Sequence, residues 1–114
     1  MDLTYSLTRE LKRWSDSEID EGHIHEWAEE LLEKIGWVQY DNDDPRSVPM
    51  EVLAQLDILN VQLIAQEDVP AFLRFLKLGQ EEPLKAWAQW AEYWDQLDMT
   101  VRKSELSENQ FYSC

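Results

Sequence analysis

Near the start of the chain, Asp20, His23, His25, Glu26 and Glu29 bring imidazoles and carboxylates into one stretch. These are the ligands that zinc and iron prefer, so metal binding is the first chemistry to weigh. The spacing argues against it. On a helix His23 and His25 are two positions apart and point about 200° away from each other, so an intact helix does not let them share an ion. Asp20 can meet His23 and His25 can meet Glu29, but each is only a pair. The repeated Glu-x-x-His of a di-iron bundle is absent, and His25-Glu26-Trp27-Ala28-Glu29 lacks the second histidine of a zinc-protease helix. These residues therefore read as exposed or capping groups, and no metal site is expected.

The other candidates fare no better. Asp41-Asn42-Asp43-Asp44 has the look of a calcium loop, but Arg46 and Val52 stand where an EF-hand needs its turn glycine and its bidentate glutamate. Cys114 is the single cysteine, so it forms no intramolecular disulfide and has no preorganised base to activate it. Gly22, Gly36 and Gly79 are isolated from one another, which excludes a glycine-rich phosphate loop. The expectation is a non-enzymatic protein with no cofactor.

Charge carries more information than any motif. Twenty-four acidic residues against 10 basic ones leave a formal charge of −14, which makes free nucleic acid and anionic membranes poor partners. The excess is local. From Asp16 to Glu33 the ionised side chains are Asp16, Glu18, Asp20, Glu21, Glu26, Glu29, Glu30 and Glu33, with no lysine or arginine between them. Asp41, Asp43 and Asp44 follow closely. Glu26, Glu29, Glu30, Glu33, Asp41, Asp43 and Asp44 are thus the candidate partner-binding residues. A dense acidic face can steer a basic protein toward it and occupy that protein's nucleic-acid site as phosphates would.

Such a face must be held by a fold, and the pattern is helical throughout. A chain of 114 residues suits one domain. Leu3, Leu7, Leu11 and Trp14 mark a first helix that stops near Ser15-Asp16-Ser17. Asp20 caps a second, with Ile19 and Ile24 at the spacing of a hydrophobic staple, and its stripe of Ile24, Trp27, Ala28, Leu31 and Ile35 runs to a stop at Gly36. After a polar loop, Ser47 caps a third helix with Pro49 in its first turn and Val52, Leu53, Leu56, Leu59 and Leu63 facing inward. Asp68 caps a short fourth, in which Pro70 opens the first turn, Phe72, Leu73 and Leu76 pack inward, and Gly79 ends the element. A fifth is expected from Pro83 to about Lys103, carrying an inward stripe of Trp87, Trp90, Trp94, Leu97 and Val101 flanked by Leu84 and Ala91, with Arg102 and Lys103 at its negative end. The expected fold is all-α: a small antiparallel bundle of about five helices in a single domain spanning 1–114, with 104–114 a loosely attached tail that Phe111 and Tyr112 can pin. No apolar run resembles a signal peptide or a membrane span, so the expected location is the cytoplasm.

The short all-helical pattern and the stretch Asp20-Glu21-Gly22-His23-Ile24-His25-Glu26-Trp27-Ala28-Glu29-Glu30 resemble small acidic bacterial immunity proteins. The resemblance implies an inhibitor that neutralises a toxin or nuclease by covering its basic site. The competing expectation is a helical adaptor, of phage or housekeeping origin, that meets its partner through the apolar face of the last helix while the charge serves solubility.

Overall fold

A computed structural model describes residues 2–109 and 111–112, which form six α-helices and one 3₁₀ turn and contain no strand. Helix, the 3₁₀ turn included, accounts for 67% of the described residues. The first two helices follow from local rules. In α1 (Leu3–Ser15) the Asp2 side chain accepts a hydrogen bond from the Tyr5 backbone, and Leu7, Leu11 and Trp14 are buried along one stripe. In α2 (Glu21–Ile35) Asp20 Oδ1 accepts the His23 N–H at 2.8 Å, and the staple residues Ile19 and Ile24 are both buried. The inward stripe of α2 is Ile24, Ala28 and Leu31, with Trp27 half-buried. Ile35, expected at its end, is instead 45% exposed because the last turn of α2 runs beyond the core. Gly36 then takes φ 77° and ψ 153°, a backbone region open essentially to glycine.

From α3 onward the structure departs from the pattern in instructive ways. α3 (Ser47–Asp57) starts one residue earlier than expected, with Arg46 at the cap position. Ser47 is not the cap: it is buried, and its hydroxyl accepts the Trp87 indole N–H at 2.9 Å. The helix also ends before Leu63. Ile58 and Leu59 donate their N–H groups to Gln55 and Leu56, three residues back, which tightens and turns the chain. The turn carries both Leu59 and Ile64 into the core and leaves Leu63 half-buried in a left-handed conformation. A 3₁₀ turn, Gln66–Asp68, leads into α4 (Val69–Gly79), where Pro70 occupies the first turn and Phe72, Phe75 and Leu76 are buried. Gly79 serves packing rather than chain reversal, since a Cβ there would lie 2.6 Å from a methyl of Val48 on α3.

The expected fifth helix is two helices, α5 (Pro83–Asp95) and α6 (Met99–Leu106). Asp98 causes the break: its Oδ1 accepts the N–H groups of Thr100 and Val101 at 3.0 and 3.1 Å, which is a fresh N-cap in place of helix continuation. Only part of the aromatic stripe is core. Trp90 is buried, stacked on Phe75 at 4.2 Å between ring centroids, with Phe72 4.9 Å away and Trp94 edge-on to it. Trp87, Trp94 and Leu97 are half-buried, while Leu84, Ala91 and Val101 face solvent. The core itself draws on α1 to α5 and on Ile64 and Tyr112.

Candidate functional site

The staple at Ile19 and Ile24 and the buried Ala28 and Leu31 fix the rotation of α2 about its axis, so its opposite side must face water. Glu26, Glu29, Glu30 and Glu33 are all exposed there. Among the described residues no ion pair engages Glu26, Glu30 or Glu33, and Glu29 has only His25 Nε2 at 3.8 Å. A shallow groove lined by Trp27, Glu30, Leu31, Glu33 and Lys34 runs along this side. The arrangement presents carboxylates in a row, with an indole at its edge.

The Asp41–Asp44 loop is a second acidic element of different character. Asp41 and Asp43 are exposed, whereas Asp44 is half-buried and held inside the loop. Asp44 accepts the Arg46 backbone N–H at 2.9 Å and pairs with the Arg46 guanidinium at 2.7 Å. Those hydrogen bonds from Arg46, side chain first and backbone second, hold the Asp44 carboxyl below the usual aspartate range. The same guanidinium lies 4.6 Å from the centre of the Tyr40 ring. The loop therefore offers two free carboxylates and uses the third to shape itself.

The histidines are separated as their spacing requires. His23 is exposed, while His25 is half-buried, hydrogen-bonded through Nδ1 to the Leu56 carbonyl at 3.1 Å and set edge-on to Phe111. His25 thus ties α2 to α3. Among the described residues no three His, Cys, Asp or Glu side chains converge as metal ligands. Cys114 lies outside the described residues.

The polar groups that sequence reasoning missed are inside. Asp68, expected as a helix cap, is fully buried and accepts four hydrogen bonds: from the Ala65 N–H at 2.8 Å, from the Tyr93 hydroxyl, and from Arg102 Nη1 and Nη2 at 2.6 and 2.9 Å. Arg102, expected to sit at a helix end facing water, is buried and also donates to the Leu63 carbonyl at 3.2 Å. Beside it the Tyr112 hydroxyl donates to the Ile64 carbonyl at 2.6 Å, and Asn109 donates to Glu21 at 2.8 Å. Phe111 and Tyr112 so contact the body of the protein. A smaller case is Glu10, buried on α1 and paired with Arg9 and Arg13 at 3.3 and 3.2 Å. Two signals point this way in the sequence: Asp98, a cap residue inside an expected helix, and Asp68 beside a proline-bearing turn.

Burial, and then the bond to Asp68, push the Tyr93 hydroxyl up to about 12, and burial with the nearby Glu21 charge pushes Tyr112 higher still. A raised folded value means the stabilisation is complete below pH 10, the ordinary tyrosine value, and is lost as pH rises through the folded values. Urea midpoints are therefore expected to fall above pH 10, and the fall is expected to be shallower in a Tyr93→Phe, Tyr112→Phe double variant. An identical alkaline profile in both proteins would contradict this assignment.

No helix among the described residues is long and apolar enough to cross a membrane. Comparison of the chain with protein-family models, with curated proteins and with solved structures finds no match.

Proposed function

We propose that this is a non-enzymatic binding protein, most concretely an immunity-type inhibitor whose acidic face covers a basic site on a toxin or nuclease. The observation that carries the reading is the row of exposed carboxylates on α2, of which Glu26, Glu30 and Glu33 have no ion pair among the described residues, held outward by a stripe that is buried on the other side. Glu26, Glu29, Glu30 and Glu33 supply the steering field, Asp41 and Asp43 extend it, and Asp44 supports it by shaping the loop. An acidic face that is not neutralised from within keeps its field for a partner. The short connection at 80–82 between α4 and α5 supports an antiparallel arrangement of those two helices.

The test is charge reversal on a protein whose fold is unaffected. Glu26→Lys, Glu30→Lys and Glu33→Lys together are expected to leave the unfolding free energy from urea titration within about 0.5 kcal/mol per site, because each is exposed and unpaired. Where a toxin-domain gene is found immediately upstream, the triple variant is expected to associate with its basic product at least about tenfold more slowly, and the wild-type rate to fall steeply with added salt. An association rate that ignores both the reversals and the salt would refute the reading.

A further inference from the structure

Ile35, Trp37 and Val38 are 45, 54 and 42% exposed, so three of four consecutive residues place large apolar groups in water. Single exposed apolar residues are ordinary on a protein surface, but contiguous ones mark contact sites. Behind Trp37 and Val38 lies a recess of about 160 Å³, walled on one side by the 37–42 segment and on the other by Met50 of α3 and Trp87 of α5. We propose that this recess receives one apolar side chain of a basic partner protein and anchors the contact that the acidic face steers, an inference that rests on the function proposed above.

Its size fits one side chain. Pockets for drug-sized ligands hold roughly 300–1,000 Å³, well above this volume. Its walls are held before anything binds: the Trp87 indole N–H is bonded to the buried Ser47 hydroxyl at 2.9 Å, and Tyr40 lies against an Arg46 guanidinium that Asp44 fixes at 2.7 Å. A preformed site loses little entropy on binding, and tryptophans in such sites dominate interface energetics. Charge selects the occupant. Glu33, Asp41 and Asp43 are exposed and flank the apolar segment in sequence, outnumbering the exposed Lys34 beside Ile35, and Glu51 lines the recess itself. Two copies meeting symmetrically through this patch would oppose like-charged rims, whereas a partner with lysine or arginine around an apolar residue would complement it.

The experiment uses the full chain and three synthetic peptides: a lysine-rich peptide with a central leucine, the same peptide with alanine there, and a neutral serine-rich peptide keeping the leucine. Binding is followed by the indole N–H resonances. The cationic leucine peptide is expected to bind about tenfold tighter than its alanine counterpart and to shift Trp37 and Trp87. Trp37→Ala, a change at an exposed position, is expected to erase that tenfold advantage while leaving the alanine peptide's affinity as it was. Salt-dependent binding of both cationic peptides with no leucine advantage, or shifts confined to Trp94, would overturn the recess and leave the acidic-face reading standing. A neutral leucine peptide that binds as tightly as the cationic one would overturn the basic partner instead. Concentration-dependent self-association that disappears in Trp37→Ala would give the recess to a second copy and overturn the proposal.

Discussion

Arg102→Ala is expected to cost about 3–5 kcal/mol, a large share of a total domain stability of order 5–15 kcal/mol. The reason is what the substitution leaves behind. Asp68 has no exposure to water, and Arg102 supplies two of the four hydrogen bonds on its carboxylate and its only buried countercharge among the described residues. Removing one member of a buried pair strands the other, which costs far more than the pair contributes relative to apolar residues of the same shape. Arg102→Lys keeps the charge but not the two-pronged geometry and is expected to recover only part of the loss. Combining Arg102→Met with Asp68→Asn is expected to cost less than the sum of the single changes. Urea midpoints of the set are the measurement; an Arg102→Ala protein within about 1 kcal/mol of wild type would mean that water, not protein, solvates Asp68.

The second large effect is expected at Trp90. Truncation to alanine removes the ring stacked on Phe75 and packed against Phe72 and Trp94, and leaves a cavity between α4 and α5 that cannot fully collapse. The expected loss is about 3–5 kcal/mol. Trp94→Ala and Trp87→Ala are expected to cost less, because both rings are half-buried, although Trp87 also gives up its bond to Ser47. Equal losses at Trp90 and Trp94 would show that the last turn of α5 is more deeply packed than its exposure indicates. Either variant carries a practical warning: lost binding in a destabilised Trp90 protein would say nothing about the surface.

What can be read from the sequence divides along a physical line. Asp20, Ile19 and Ile24 interact within a single turn, so the start of α2 and the outward direction of its glutamates are legible from residue order alone. The same locality serves Leu7, Leu11 and Trp14. Most of the misreadings involve choices made between separate parts of the chain, and the pairing of Asp44 with Arg46, two residues away, is the local exception. A helical stripe through Val101 and a cap at Asp98 compete on equal local terms, and the decision goes to the cap because Arg102 then reaches Asp68, 34 residues away. Ser47 looks like a cap until Trp87, 40 residues later, takes its hydroxyl. Asp44 looks like one more free carboxylate for as long as Arg46 is weighed only as a failed calcium ligand and not as a cation. The recess beside Trp37 carries no sequence signal, since its far wall comes from α3 and α5.

The bond from Arg102 to Asp68 also has a meaning in time. During synthesis the chain emerges from its N-terminus, and for the whole interval in which residues 69 to 101 are being added, Asp68 has no Arg102 guanidinium to meet. The stripes of α1, α2 and α3 are already synthesised when that interval opens and that of α4 is completed within it, and Asp68 has only Ala65 and Tyr93 among its donors until α6 has been made. A nascent chain halted between α5 and α6 would therefore carry most of its apolar stripes while lacking the cation that partners Asp68, and Tyr112, whose hydroxyl donates to the Ile64 carbonyl, follows later still.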